Sequence, residues 1–107
     1  MDDLPRLTQM LAGANLIWTA RDGDRLVGVA RALSDSVYCT YLSDLAVDVA
    51  FQRQGIGKEL MRQIKLQTPQ AKLILLAAPA AIPYYPKVGF RKYEYCYMLD
   101  EVGDLAD

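Results

Sequence analysis

The residues best suited to chemistry lie in one short run, Gln52-Arg53-Gln54-Gly55-Ile56-Gly57-Lys58. Two glycines stand where a side chain would obstruct a ligand's approach to the backbone, and Arg53 and Lys58 place positive charge beside them. From Ile56 the apolar residues Leu60, Met61 and Ile64 recur at spacings of three and four. Lys58, Glu59, Arg62, Gln63 and Lys65 turn outward, so a helix begins at the glycines. The start of a helix leaves its first amides without internal acceptors and carries partial positive charge, which suits an anion. The run reads as a phosphate cradle; by spacing alone it also fits a plain turn before a helix. Two better-known phosphate loops are excluded. Gln52 stands at the first glycine of a Walker loop, Glu59 replaces its Ser or Thr, and Leu60 replaces the third glycine of a dinucleotide fingerprint.

The strand-like segment ahead of this run ends in Leu45-Ala46-Val47, and Tyr85-Pro86-Lys87-Val88-Gly89-Phe90 follows farther along. The pattern Gln52-x-x-Gly55-x-Gly57 before a helix resembles the acyl-CoA pyrophosphate loop of the GNAT N-acetyltransferase superfamily. The later run resembles that family's Tyr-x-x-x-Gly-Phe segment, at the family's separation from the loop. Together the two matches extend the resemblance over about Asn15 to Leu99.

The resemblance implies an acetyl-CoA-dependent transfer of an acetyl group to an amine. The backbone of Leu45, Ala46 and Val47 would pair with the pantetheine arm, and the amides from Gln52 to Lys58 (Gln52, Arg53, Gln54, Gly55, Ile56, Gly57, Lys58) would hold the pyrophosphate. Tyr85 matches the position that serves the departing sulfur. A phenol is protonated at neutral pH and can donate, although a tyrosine packed on a sheet with a wet hydroxyl, or Tyr84 in its place, fits the same run. With no His in the chain, the base is a carboxylate, a water held by one, or nothing if the amine arrives neutral. Asp44 is the candidate, with Asp48 behind it; a strand carboxylate is also a common structural acceptor. Trp18 and the late tyrosines could line an acceptor pocket or belong to a core or interface. Two positions depart from the family pattern. Ala78 stands where an asparagine commonly opens the second helix, and Val49 replaces a frequent proline.

The elements that must carry these residues follow from pattern. Leu4, Leu7, Met10 and Leu11 fit a short helix, with Asp2 and Asp3 as caps and Gly13 as a stop. Asn15 to Ala20 and Leu26 to Leu33 read as strands joined through Asp22-Gly23, and Val37 to Val47 as a long third strand. The central helix ends near Gln67, because Thr68 precedes Pro69. Leu73 to Ala77 reads as a strand buried on both faces and parallel to the third. Ala80 to Val88 reads as a helix shortened or distorted by Pro83 and Pro86, and Phe90 to Leu99 as a last strand. The expected architecture is one α/β domain over residues 1–107, a GNAT-like mixed sheet of about five strands with helices on both faces and a flexible acidic tail over 100–107.

Composition narrows the classes. The 107 residues are 52% hydrophobic and 23% charged, with 12 basic against 13 acidic residues. A net charge of −1 offers no basic field for nonspecific nucleic-acid binding. Leu73 to Pro86 is too short and too proline-rich to span a membrane. The N-terminus lacks a secretory pattern, which points to the cytoplasm. No His and two separated cysteines, Cys39 and Cys96, speak against a metal site or a disulfide. Family members usually begin with a further strand and helix. Without them a sheet edge lies uncovered, which implies a homodimer. The alternative to an enzyme is a catalytically weak acyl-CoA-binding or regulatory module of the same fold. A purely structural dimerisation domain would leave the loop spacing a coincidence.

Overall fold

The computed structural model describes residues 4–106, the side chains of residues 4, 5, 7, 8 and 11 excepted. Two compact units result, Met1–Leu76 and Ala77–Asp107. The first contains α1 (Leu4–Gly13), β1 (Leu16–Asp22), β2 (Arg25–Ser34), β3 (Cys39–Val47), α2 (Ile56–Gln67) and β4 (Lys72–Leu75). Its sheet has the order β1-β2-β3-β4, antiparallel across the first three strands and parallel between β3 and β4. The hairpin turns at Gly23, whose φ of 61° demands the left-handed region. A helical crossover then returns the chain beside β3, as a parallel pair requires. The expected caps Asp2 and Asp3 lie outside the described residues.

α2 buries Leu60, Met61 and Ile64 against the face of β2 that carries Gly28, Ala30 and Ala32. A Cβ on Gly28 would come within 3.1 Å of Ile56 Cγ2 and 3.2 Å of Leu60 Cδ1, so small residues set how closely the helix lies. Arg31, between Ala30 and Ala32, turns to the opposite face and donates to the Met10 carbonyl of α1. Helices therefore flank both faces of the sheet.

A buried hydroxyl chain joins the far end of α2 to β3. Thr68 Oγ1 donates to the Ile64 carbonyl at 3.0 Å and accepts from Thr40 Oγ1 at 2.9 Å. Thr40 has spent its one proton, so Ser34 donates to it at 2.7 Å while Ser34 Oγ accepts from the Ser36 amide. Each hydroxyl donates once and the direction is fixed. Below it, Asp35 Oδ1 accepts from the amides of Val37, Tyr38 and Cys39, so β3 begins at Cys39 and not at Val37.

The second unit holds a 3-10 turn at Pro79–Ala81, α3 (Tyr84–Lys87) and a 3-10 turn at Val102–Asp104 with a reciprocal Glu101–Asp104 cap. The helix read over Ala80 to Val88 is thus broken into two short pieces, with Pro83 at the start of the second.

Three expectations need correction. Phe90 to Leu99 forms no strand, and the sheet has four strands among the described residues, not five. A strand needs a ladder partner and a face to bury. Residues 91–99 are exposed throughout, with Tyr97 at 90%; Arg91 lies over Tyr93, and Tyr93 is edge-on to Tyr95. β4 is likewise not buried on both faces: it pairs only with β3, and Ile74 and Leu76 are exposed.

Candidate functional site

β3 and β4 run side by side only from Cys39 and Lys72 to Leu42 and Leu75. β4 ends there, whereas β3 continues to Val47. Residues 44–47 are consequently paired with β2 on one side and, among the described residues, have no strand on the other. The predicted residues Leu45, Ala46 and Val47 lie on this open edge, a backbone still able to accept an extended ligand as a further strand.

The strand leads directly into the glycine loop. Asp48 starts a single 3-10 turn, Val49–Phe51, by accepting from the Ala50 amide at 2.9 Å. The same carboxylate pairs with Arg25 at 2.9 Å, and the Arg25 guanidinium lies over the Phe51 ring. The Ala50 hydrogen bond, and after it the bond to Arg25, hold the Asp48 carboxyl below its usual value. The Gln52 side chain returns to the strand by donating to the Val47 carbonyl at 3.0 Å. The loop is thus fixed at its entry by its own side chains.

Beyond Gln52 the backbone turns open. Arg53 has φ 65° and Gly55 φ 83°, and Gly55 is the cap of α2. A Cβ on Gly55 would meet nothing within 4 Å, so the glycine is required by its backbone angle and not by crowding. The first helical bond runs from the Glu59 amide to the Gly55 carbonyl. Among the described residues, the amides of Arg53, Gln54, Gly55, Ile56, Gly57 and Lys58 find no protein acceptor. Arg53 and Lys58 are exposed and join no ion pair among the described residues. Unfilled amides, two free cations and a helix start converge on one small surface, and together they suit a pyrophosphate.

Asp44 stands on β3 at the start of the open stretch. Its Oδ2 accepts from Arg31 Nε at 2.6 Å and pairs with Arg31 Nη2, while Oδ1 has no protein partner among the described residues. Arg31 itself is 4% exposed. Asp48, the second candidate base, is committed to the loop. Trp18 faces α2, where its Nε1 donates to Gln67 and its ring lines a hollow of about 380 Å³ with Ala20, Ile56, Leu60 and Gln63.

Tyr85 belongs to the second unit. Its ring is half-buried and edge-on to Tyr84 and Phe90, at 5.3 and 5.4 Å. Burial, with the Tyr84 phenol adding to it, pushes the Tyr85 hydroxyl above the ordinary phenol value. The group therefore keeps its proton at neutral pH. Its carbonyl accepts from the Phe90 amide at 3.0 Å, with Gly89 at φ 108° supplying the reversal that Tyr-x-x-x-Gly-Phe encodes.

Three contributors escaped the sequence reading: Arg25, Arg31 and Ser43. Arg31 carried a signal, a charge inside the apolar run Leu26 to Leu33. Arg25 and Ser43 carried none.

A family model described as an acetyltransferase (GNAT) domain matches residues 3–97. The chain belongs to the GNAT acetyltransferase family. Among curated relatives, an uncharacterized N-acetyltransferase (ycf52) of Porphyra purpurea is 38% identical over 81 residues, 73% of this chain and 47% of the relative. A histone acetyltransferase of Glycine max is 35% identical over 69 residues, 62% of this chain and 30% of its own length. The chain thus spans about half the length, or less, of the curated relatives it matches. A GNAT family protein from Streptococcus pneumoniae TIGR4 superimposes with a TM-score of 0.79 at 28% identity, covering 92% of this chain and 80% of the other. A GNAT family acetyltransferase from Elizabethkingia anophelis, solved with acetyl-CoA bound, shares the fold at TM-score 0.67 and 21% identity, over 94% of this chain and 75% of that one. The GNAT fold class and the acetyltransferase family agree with the α/β sheet described above. Among the described residues no helix is long and apolar enough to cross a membrane, and no three His, Cys, Asp or Glu side chains gather as a metal site.

Proposed function

We propose that this chain transfers an acetyl group from acetyl-CoA to a primary amine, of a small molecule or of a peptide. The observation that carries the reading is the continuity of an open strand edge, residues 43–47, with a loop of unfilled amides, residues 53–58. Leu45, Ala46 and Val47 would hold the pantetheine arm, and Gln52 to Lys58 the pyrophosphate, with Arg53 and Lys58 adding charge. When bound, the cofactor supplies the acetyl group as a thioester.

The remaining work falls to the chain's own side chains. Tyr85, protonated at neutral pH as a phenol is and held more firmly so by its burial, would donate at its hydroxyl to the departing sulfur. Asp44, anchored through Oδ2, offers Oδ1 to the acceptor's ammonium proton, directly or through a water. Cys39 and Cys96 are free thiols, which suits a reducing compartment, and we place the protein in the cytoplasm as a homodimer. No basic patch in the composition favours a nucleic-acid partner.

The test is release of free thiol from acetyl-CoA in the presence of a panel of primary amines, with Tyr85→Phe as control. Amine-dependent release, lowered in the variant more through kcat than through cofactor affinity, supports the reading. Tight cofactor binding without turnover of any amine would favour an acyl-CoA-binding module instead.

A further inference from the structure

The register of β2 against β3 slips at one place. Arg31 pairs with Asp44 and Ala32 with Leu42, so Ser43 is the extra residue of a bulge. Leu42 is also the last residue of β3 with a partner on β4, so the bulge stands where the open edge begins. A bulge re-aims the strand beyond it, here Asp44 to Val47.

We propose that Arg31 is the positioning residue that sets this edge for its ligand; the inference rests on the cofactor reading above. Every nitrogen of the buried guanidinium is used. Nε donates to Asp44 Oδ2 at 2.6 Å, Nη2 to Ser43 Oγ at 2.6 Å, and Nη1 to the Met10 carbonyl at 2.9 Å. Two of the three partners are the bulge residues themselves. The third is one of the last four carbonyls of α1, which lack intrahelical donors and attract a cation. One planar fork therefore joins the α1 end, the bulge and the carboxylate that flanks the open edge. A guanidinium reaches three acceptors in fixed directions, which an ammonium cannot do. Arg31 also fixes which Asp44 oxygen remains free. Among the described residues its hydrogen bonds reach neither the loop nor α2, so its effect falls on the strand edge and the α1 end.

The test compares wild type with Arg31→Lys, which keeps the charge and loses the fork, and with Ser43→Ala, which removes one bulge contact and no charge. Amide hydrogen exchange of the free protein should quicken at residues 43–47 in both variants and stay unchanged in α2. Affinity should fall by about tenfold for acetyl-CoA in Arg31→Lys, one or two lost contacts' worth, and remain unchanged for 3′-phospho-ADP, which lacks the pantetheine arm. Uniform quickening over sheet and helix, equal losses for the two ligands, or full rescue by lysine would overturn the proposal and leave Arg31 a packing residue. If wild type binds neither ligand, the cofactor reading fails instead, while the exchange data still decide whether Arg31 holds the edge.

Discussion

Gly55 and Arg53 put the loop backbone where L-residues rarely go, and only Gly55 does so without strain. Gly55→Ala meets no steric obstacle, so its cost is purely conformational, roughly 1–2 kcal/mol by denaturant unfolding. A cost near zero would mean that the loop relaxes and that the φ is not imposed by the fold. Tyr85 makes a second prediction. A group that donates its proton supports turnover below its pKa and loses it above. Burial moves that pKa upward, so the alkaline limb of kcat should lie above the ordinary phenol value of 10.0 and vanish in Tyr85→Phe. That variant should lower kcat by about 10²–10⁴. A limb below the ordinary value would assign it to another group. Gly55 was legible in the sequence as a turn before a helix, and Tyr85 was singled out through the resemblance of its run to the family's Tyr-x-x-x-Gly-Phe segment. Arg31 was not, because its partners Ser43 and Asp44 meet it only across a register slip that no local pattern records.

At the scale of elements, α2 runs from Ile56 to Gln67, as its apolar period and the Thr68-Pro69 stop require. Strong periodicity bounded by a glycine and a proline leaves the backbone few alternatives. Tyr93, Tyr95 and Tyr97 show the opposite case. Their alternation has strand period and strand propensity, yet Cys96 and Met98 between them give no polar contrast, and no neighbouring strand among the described residues supplies a ladder. Propensity without pairing does not make a strand. The run Leu73 to Ala77 misled in a related way, since a continuous apolar stretch is also what an edge strand can carry. The end of α2 depends instead on polar groups. Thr68→Val preserves volume but removes both the donor to the Ile64 carbonyl and the acceptor of the Thr40 hydroxyl. We expect a loss of about 1–3 kcal/mol in urea or thermal unfolding, because both groups lie in a fully buried place. A neutral substitution would show that the hydroxyl chain contributes shape alone.

At the scale of the molecule, the sheet and α2 bring together what one short run could only suggest: a strand that outlasts its parallel neighbour, and a loop whose amides are unspent. Family membership accounts for the order of these parts. The acceptor is not encoded in them, since the Trp18 hollow and the exposed tyrosines specify no amine. The central claim concerns the donor side and is tested most directly by calorimetric titration with acetyl-CoA, 3′-dephospho-CoA and pantetheine. The account predicts binding of acetyl-CoA in the micromolar range, retained by 3′-dephospho-CoA, which keeps the pyrophosphate, and lost with pantetheine, which does not. Equal affinity for pantetheine and acetyl-CoA, or no binding of either, would contradict the pyrophosphate cradle at Gln52 to Lys58.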